Sequence, residues 1–532
     1  MTTTPPAPPP SALQAPEVRV PLLPAAAGPD VPVPRRLLAA SALGGLGCAL
    51  AVPTGRSGIG WPVAVAVLVL AVLLVGLRTP GGVRALLAGA ARIETLAWAG
   101  AALALTAVAW VRAAEWLVAL CLFTACVCAA LAVSGRLVGG VLRAVLSVPL
   151  GMLRAVPWLG RAVRRSYGTG ATGRDVRIVL SVAVGVVLLL VFGSLLASAD
   201  AVFAGLVDSL LPTADEDAVG SAVVLFVVGA ALVAGTALVL AAPPVLTLTV
   251  PQPTRLRTLD WAVPVGLVVA LFAVFVGVQF AALFGSDEYV QATTGLTFAE
   301  YARSGFWQLL AVSALALGVI LAGIRWAPAA SAVDRSTKRL LLGAMAVLCL
   351  VIVASALRRM WLYQQAYGFT VLRLLVGACE LWLGLAFLLA LLAVLRLRPT
   401  GTVRPMVATA VGALLLLAVL DPERLVAQQN ATRFAVTGDL DSEYLSRLSA
   451  DAVPALLELP DSPVRTCILA TIAARSAPDP DEDWRSANLS RAAAQGAVGH
   501  LAGLTDRTGG GDPLFGGGGR YPGLDEPACS LS

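Results

Sequence analysis

The chain has 532 residues, of which 58% are hydrophobic and only 13% are charged, and its mean hydropathy is +0.84. A soluble domain carries about 25% charged residues, so this composition excludes a water-soluble fold. The formal net charge of +6 would suit nucleic acid only if the arginines formed one patch. They are distributed among many loops, so we predict no nucleic-acid partner.

Residues 1–34 are rich in proline and lack a periodic apolar pattern, so they cannot bury a core. We predict that they form a disordered cytoplasmic tail. No cleaved secretory signal is expected, because the first apolar block begins only after Arg35 and Arg36.

Residues 35–420 contain apolar blocks long enough to cross a bilayer, which predicts an all-α, polytopic transmembrane bundle of about eleven helices. The predicted spans are residues 37–52, 62–77, 95–111, 116–133, 178–198, 221–242, 261–284, 307–324, 340–357, 371–395 and 405–420. We therefore expect a multi-pass protein whose first partner is the lipid bilayer of the cell membrane.

The loops between these spans differ in charge when they are taken alternately. The basic loops carry Arg78, Arg84, Arg92, Arg136, Arg143, Arg154, Arg161, Arg164, Arg165, Arg174, Arg177, Arg255, Arg257, Arg325, Arg335, Lys338, Arg339, Arg396, Arg398 and Arg404. The other loops carry Asp200, Asp208, Asp215, Glu216, Asp217, Asp287, Glu288 and Glu300. Because cytoplasmic loops are enriched in Lys and Arg, we predict a cytoplasmic amino terminus and an extracytoplasmic region after residue 420.

The long basic loop at residues 134–177 interleaves its arginines with leucine and valine. This pattern favours a helix that lies along the cytoplasmic membrane surface, where each arginine near anionic lipid contributes about 1 kcal/mol. Binding of a regulator or of nucleic acid is the alternative that we weighed against it.

The composition changes after residue 420, where acidic residues appear among short apolar repeats. Asp441 and Ser462 stand where the N-caps of short helices are expected, so residues 421–506 are predicted to form a small extracytoplasmic helical domain. The glycine-rich residues 507–532 are predicted to be disordered. Cys467 and Cys529 both lie in this exported region, where cysteines can form a disulfide.

The only histidine of the chain is His500, in the exported region. Histidine-ligated metal centres, H-E-x-x-H peptidases and Ser-His proteases need an imidazole near the membrane, and the sequence also lacks a phosphate-binding G-x-x-x-x-G-K-[ST] loop. We therefore predict no catalytic residue, no metal and no cofactor, and we favour a protein that is not an enzyme.

Glu380 is the one ionisable residue near the middle of a predicted span, residues 371–395. A charge at mid-bilayer costs roughly 2.5–3.5 kcal/mol, so we expect Glu380 to face other helices or water, to be paired, or to be protonated. Arg373 shares its helical face but lies about 10 Å away along the axis, which strains a direct pair. Glu380 is then either a proton or cation relay, or a protonated packing residue while Arg373 reaches the outer face.

Three stretches of the sequence carry a family resemblance. They read LFGSDEYVQATTGLTFAEYARSGFWQLL at residues 283–310, LRRMWLYQQAYGFTVLRL at 357–374 and DPERLVAQQNATRF at 421–434. They resemble a bacterial, largely actinobacterial family of multi-pass proteins, domain of unknown function 4173, which is related to 4153. The resemblance covers roughly residues 178–457 and implies a fold and a topology, but no activity.

The resemblance draws attention to aromatic and basic residues at the predicted outer interface. Together with Glu380 they form our candidate intramembrane or outer-cavity site: Arg303, Arg358, Arg359, Tyr363, Tyr367 and Arg373. Tyrosine is common at this depth as a membrane anchor, so a structural role stands beside the binding of an anionic lipid headgroup.

Two functions follow from these features. We favour a non-enzymatic regulatory or assembly protein of the cell envelope, whose exported domain contacts a membrane protein partner. The alternative is a transporter or lipid-handling protein that uses Glu380 and the outer-face arginines. A helical bundle of this size serves both functions, so the fold class does not choose between them.

Overall fold

The computed structural model describes residues 36–76, 91–135, 140–166, 216–242, 257–284, 306–397, 402–478 and 482–507. Every element within these ranges is a helix, so the predicted all-α fold is confirmed there. Nine of the described helices are long and apolar enough to cross a membrane, and two shorter apolar helices precede them in the chain. The chain is therefore built as a multi-pass membrane protein.

In the described part of the chain, eleven helices make up the bundle. They are α1 (Leu37–Ala51), α2 (Gly60–Gly76), α3 (Ala91–Val111), α4 (Glu115–Ser134), α5 (Val141–Ser166), α6 (Glu216–Ala241), α7 (Thr258–Phe284), α8 (Phe306–Trp326), α9 (Ala332–Tyr367), α10 (Val371–Arg396) and α11 (Val403–Leu420). Ten of the predicted spans coincide with ten of these helices. The remaining span, residues 178–198, and the predicted tail at 1–34 lie outside the described residues. So does the predicted tail at 507–532, except for Arg507, which ends a helix.

Residues 422–507 form a C-terminal domain of short helices. These are α12 (Pro422–Thr437), α13 (Ser442–Ser446), α14 (Val453–Leu456), α15 (Pro463–Ser476) and α16 (Leu489–Arg507). The Asp441 carboxylate caps α13 by accepting from the Tyr444 amide at 2.9 Å, and the Ser462 hydroxyl caps α15 by accepting from the Arg465 amide at 3.2 Å. Its core includes the fully buried Leu445, Leu456, Ile468 and Ile472.

The C-terminal domain contacts one end of the bundle, which we call the domain end. The α1–α2 loop, the α3–α4 loop and the α9–α10 turn all donate or accept hydrogen bonds to it. At the other end, the far end, Arg404 at the start of α11 pairs with Glu94 at 2.8 Å and donates to the Gly135 carbonyl after α4. The helix ends therefore sort into the same two groups as the alternating loops of the sequence.

Glycines allow α1 and α6 to approach closely as an antiparallel pair. A Cβ atom on Gly45 would stand 2.7 Å from the Phe226 carbonyl oxygen, and one on Gly229 would stand 2.6 Å from the Gly44 carbonyl oxygen. Small residues at such crossings permit the close backbone contact on which helix association in membranes depends.

Helix α9 is much longer than the span predicted within it. It has 36 residues, and it begins with a capping box in which Ser331 and Asp334 exchange hydrogen bonds. Its residues 340–357 and the α10 residues 381–395 carry no charged side chain. By helix rise the α9 segment extends for about 27 Å and the α10 segment for about 22 Å, and the former is close to the thickness of a hydrocarbon core. The last turns of α9 therefore project beyond this apolar band at the domain end.

Candidate functional site

Arg373 holds together the tip of the α9–α10 hairpin. Its guanidinium donates to the carbonyl oxygens of Tyr367 at 3.1 Å and Gly368 at 2.5 Å, and to the Tyr363 hydroxyl at 3.2 Å. The guanidinium carbon also lies 4.2 Å from the centroid of the Tyr363 ring, within cation–π distance. Three residues of the predicted site, Arg373, Tyr363 and Tyr367, thus meet at the tip of the hairpin.

The other predicted arginines do not join this arrangement in the described part of the chain. Arg358 is exposed and Arg359 is half-buried, both at the edge of the apolar band. Arg303 lies outside the described residues. The hairpin tip is therefore closed by Arg373 and the two tyrosines without Arg358.

The register of the hairpin fixes the depth of Glu380. A Cβ on Gly384 would contact Val353 at 3.4 Å, and Arg373 lies over the Tyr363 ring. In this antiparallel register Glu380 is level with residues 356–357 of α9, next to the end of the charge-free segment. The sequence places Glu380 near the middle of a span, whereas the packing places it at the edge of the apolar band nearest the domain end.

The Glu380 side chain is enclosed by the bundle. It is only 1% exposed, and neither carboxylate oxygen accepts a hydrogen bond from any described group. Arg373 is engaged with the hairpin tip, so it does not supply the missing donor. A buried carboxylate without a donor is costly when charged, so this position favours a proton or a cationic ligand on Glu380.

A second polar group lies at a similar depth between α7 and α9. The Ser355 hydroxyl donates to the Gln279 side-chain oxygen at 2.5 Å, and both residues are more than nine-tenths buried. The Gln279 amide nitrogen has no partner among the described residues. Trp382, the neighbour of Glu380 on α10, packs in the helix core and donates to the Met406 carbonyl at 3.3 Å.

The contact between the C-terminal domain and the bundle contains a buried carboxylate, Asp451, that accepts three backbone hydrogen bonds and to which the sequence did not point. Asp451 of the domain is 2% exposed. Its carboxylate accepts from the Ala113 amide at 3.1 and 3.0 Å and from the Ala114 amide at 2.9 Å, directly before α4. The carboxylate therefore occupies the positive end of the α4 dipole, where a negative charge is stabilised.

Arg112, directly before the two residues that Asp451 binds, contacts the end of α11. It donates to the carbonyl oxygens of Ala418 at 2.8 Å and Val419 at 3.0 Å, and it forms an ion pair with Asp421. Asp421 ends α11 with a positive φ of 58°, and its side chain caps α12 by accepting from the Arg424 amide. Asp421 thus links the last bundle helix to the first helix of the domain. Its backbone has a left-handed conformation that few residues other than glycine adopt.

Burial controls the protonation of Asp421. Removal from water, with a smaller effect of the nearby Asp451 carboxylate, raises the pKa of Asp421 to about 6, although Arg112 opposes the shift. A carboxyl with this pKa changes its charge just below neutral pH, at the junction of bundle and domain.

Asn488 and Arg56 make further contacts in this interface. The Asn488 amide donates to the carbonyl oxygens of Ala109 at 3.1 Å and Arg112 at 2.8 Å, which caps the end of α3. Arg56, in the α1–α2 loop, binds the Glu482 carboxylate through two hydrogen bonds of 2.6 Å. The signal for these contacts in the sequence was one arginine in each of two loops, Arg56 between α1 and α2 and Arg112 between α3 and α4.

The C-terminal domain also has an apolar pocket of about 200 Å³. It is lined by Phe434, Leu440, Leu459, Pro460, Ser462, Val464 and Arg465. Val436, two residues after Phe434, is 85% exposed. An apolar pocket at a domain surface suits the side chain of an apolar residue from another molecule.

Comparison with known proteins assigns a family to most of the chain. The model of the family described as "Domain of unknown function (DUF4153)" matches residues 99–459. The match begins earlier in the chain than the resemblance noted in the sequence, so it includes α4 and most of α3. Comparisons with curated proteins and with solved structures gave no match. In the described part of the chain, no three His, Cys, Asp or Glu side chains are grouped as a metal site would require.

Proposed function

The chain belongs to the DUF4153 family, and we propose that it is a non-enzymatic regulatory or assembly protein of the cell envelope. In this proposal the bundle is the membrane anchor, and the C-terminal domain is a fixed platform for a membrane protein partner. The partner inserts an apolar side chain into the pocket between α12 and α15.

The observation that carries the proposal is the buried polar contact between domain and bundle. Asp451 and Asn488 cap helix ends of the bundle, and Arg112 pairs with Asp421. Hydrogen bonds to charged groups contribute about 1.5–3 kcal/mol each, so several of them hold the domain in one orientation. A platform with one orientation transmits the binding of a partner to the membrane helices, whereas a domain on a flexible linker does not.

The pocket supports partner binding on this platform. Its lining is mainly apolar, and Arg465 at its edge is paired with Asp461 at 2.5 Å. Interfaces commonly combine an apolar centre with a charged rim. We infer that the partner presents an aliphatic or aromatic side chain flanked by polar residues.

The proposed location is a cell membrane, with the amino terminus in the cytoplasm and the C-terminal domain outside. The far end carries the arginine-rich loops, which supports this orientation. Cys467 in the domain is disulfide-bonded, which also fits an oxidising compartment. Lys338 is the only lysine in the sequence, and this preference for arginine fits an actinobacterial source with a GC-rich genome. The motif at residues 357–374 fits the 4173 type within this group of families.

The partner hypothesis is tested with two pocket variants, Val464→Gln in the lining and Val436→Glu at an exposed position on the same helix as the lining residue Phe434. Val333→Glu is a matched control, because Val333 is also well exposed, at 69%, but lies at the far end. The tagged proteins are cross-linked in native membranes and the retained proteins are quantified by mass spectrometry. We expect one stoichiometric partner that both pocket variants lose and the control keeps. If the parent protein and all three variants retain the same proteins, the hypothesis that the domain is a platform for a partner is refuted.

Glu380 favours transport or lipid handling as a second candidate function. Its buried carboxylate has no donor among the residues that the structure describes, and it lies at the edge of the apolar band nearest the domain end. A deletion strain complemented with Glu380→Gln or with Val436→Glu separates the two candidates. If only Glu380→Gln fails to complement the deletion strain, and its thermal stability is unchanged, transport is supported. Failure of Val436→Glu alone would support the platform.

A further inference from the structure

Helix α5 contacts the rest of the bundle through one narrow face of small residues and a tryptophan. The buried residues are Ala144, Ser147, Gly151, Ala155 and Trp158. Their spacing of three or four residues places them along one side of the helix. A Cβ on Gly151 would stand 2.8 Å from the Gly235 carbonyl oxygen, so α5 approaches the backbone of α6 closely there.

All of these contacts are made at the far end of the bundle. At the start of α5, the Ser147 hydroxyl donates to the hydroxyl of Ser134, the last residue of α4, at 2.7 Å. In the middle, Gly151 contacts Gly235 and Val239, in the last turns of α6. Further along, Trp158 belongs to a core cluster with Leu37, the first residue of α1, and Val75 near the end of α2.

A helix that crossed the membrane would leave the far end within about 20 residues. The part of α5 from residue 144 to 158 instead remains beside the far ends of α4, α6, α1 and α2 in turn. Helix α5 therefore packs beside the far ends of these helices, although its length and composition would suit a span.

The side of α5 opposite the small-residue face is apolar and exposed. Leu142, Leu146, Leu153 and Val156 lie on it, with exposed fractions of 65%, 41%, 73% and 71%. We call these four residues the α5 stripe. Positions 143 and 154 lie on one flank, between the stripe and the small-residue face, and both carry arginine.

We propose that α5 is a binding surface for anionic lipid in the leaflet at the far end. The stripe inserts among the acyl chains, and Arg143 and Arg154 contact lipid phosphates. An exposed apolar stripe next to a basic flank is the arrangement of an amphipathic helix in the membrane interface. The basic flank of the stripe is complementary to anionic headgroups. This proposal does not depend on the proposed function of the C-terminal domain.

The test uses the full chain in nanodiscs of equal amounts of phosphatidylglycerol and phosphatidylcholine. Leu153 is replaced by the photocrosslinker p-benzoylphenylalanine, and the same replacement at Val436 is the control, since Val436 is exposed on the C-terminal domain. We expect adducts with acyl chains at position 153 and none at position 436. A protein adduct at position 153, or no adduct there, would overturn the proposal.

The anionic preference is tested in the same nanodiscs with Arg143→Gln/Arg154→Gln. We expect phosphatidylglycerol to be enriched over phosphatidylcholine among the adducts of the parent protein, and the double variant to lose this enrichment. The loss is at most about 25-fold, since each arginine near the surface contributes about fivefold. Thermal stability is measured in parallel to verify that the variant is folded. Equal adducts of the two lipids in the parent protein would contradict an anionic site.

Discussion

Asp451 in the C-terminal domain accepts a hydrogen bond of 2.9 Å from the backbone amide of Ala114, directly before α4. Two further bonds from the Ala113 amide, at 3.1 and 3.0 Å, converge on the same carboxylate. A single side chain thus joins a membrane helix to a domain that lies far from it in sequence.

Asp451→Asn is expected to weaken this junction. An asparagine keeps the shape of the side chain but loses the negative charge at the α4 N-terminus, which costs about 1.5–3 kcal/mol. Thermal unfolding of the purified protein in detergent measures the loss. Asp439→Asn is the control, because the Asp439 side chain is 77% exposed and its distance to Arg433 is 4.0 Å. Equal transition temperatures in the two variants would contradict a stabilising role of Asp451.

Asp421 is expected to make stability depend on pH. Its pKa is raised from 3.8 to about 6 in the folded protein, so between these values the folded state binds more protons than the unfolded state. Stability from this group is therefore fully present below about pH 4 and falls as the pH rises to about 6, by up to about 3 kcal/mol. The stability difference between the parent protein and Asp421→Asn, measured across this range, isolates the effect. A constant difference would show that the carboxyl titrates at its ordinary pKa.

Arg373→Ala is expected to loosen the tip of the α9–α10 hairpin. The variant loses hydrogen bonds to the Tyr367 and Gly368 carbonyls and the cation–π contact with Tyr363. Hydrogen–deuterium exchange of the hairpin peptides is expected to rise, with a stability loss of about 1–3 kcal/mol. Arg358→Ala, at an exposed position of the same hairpin, should change stability by less than about 0.5 kcal/mol. Similar hydrogen–deuterium exchange in the two variants would contradict a role of Arg373 in holding the hairpin tip together.

Gly45→Ala is expected to destabilise the α1–α6 pair. The added Cβ would stand 2.7 Å from a backbone oxygen of α6, so the helices must move apart, at a cost of about 1–3 kcal/mol. Gly100→Ala makes the same chemical change in α3, where no atom lies within 4 Å. That control should be neutral or slightly stabilising, because alanine has the higher helix propensity. Thermal unfolding compares the two, and equal effects would contradict the close crossing.

Cys467 is expected to be linked to Cys529. Cys467 is disulfide-bonded, and the six cysteines of the described spans are free, which leaves Cys529, outside the described residues, as the expected partner. Peptide mapping without reducing agent should find the two cysteines in one linked peptide, and Cys467→Ser should release an alkylatable thiol at position 529. A free Cys529 in the parent protein would disprove the pairing.

The sequence by itself determined the class of protein and the positions of most membrane helices. Apolar blocks of bilayer length need no tertiary information to be recognised, because a backbone in lipid must satisfy its own hydrogen bonds and so forms helices. The N-caps Asp441 and Ser462 could also be predicted from the sequence, since an N-cap side chain binds amides only two or three residues away. The alternation of basic and acidic loops also sorted the helix ends correctly into two groups.

The tertiary structure decided what depends on contacts between distant residues. The partners of Asp451 and Arg112 lie more than 300 residues away along the chain, at 338 and 309 positions, so no local pattern could reveal them. The depth of Glu380 follows from the register of α10 against α9, not from its place within one apolar block. The sequence of residues 134–177 favoured a helix along the membrane surface, but only packing decided which helix ends α5 contacts, because its small residues fit against the ends of α4 and α6.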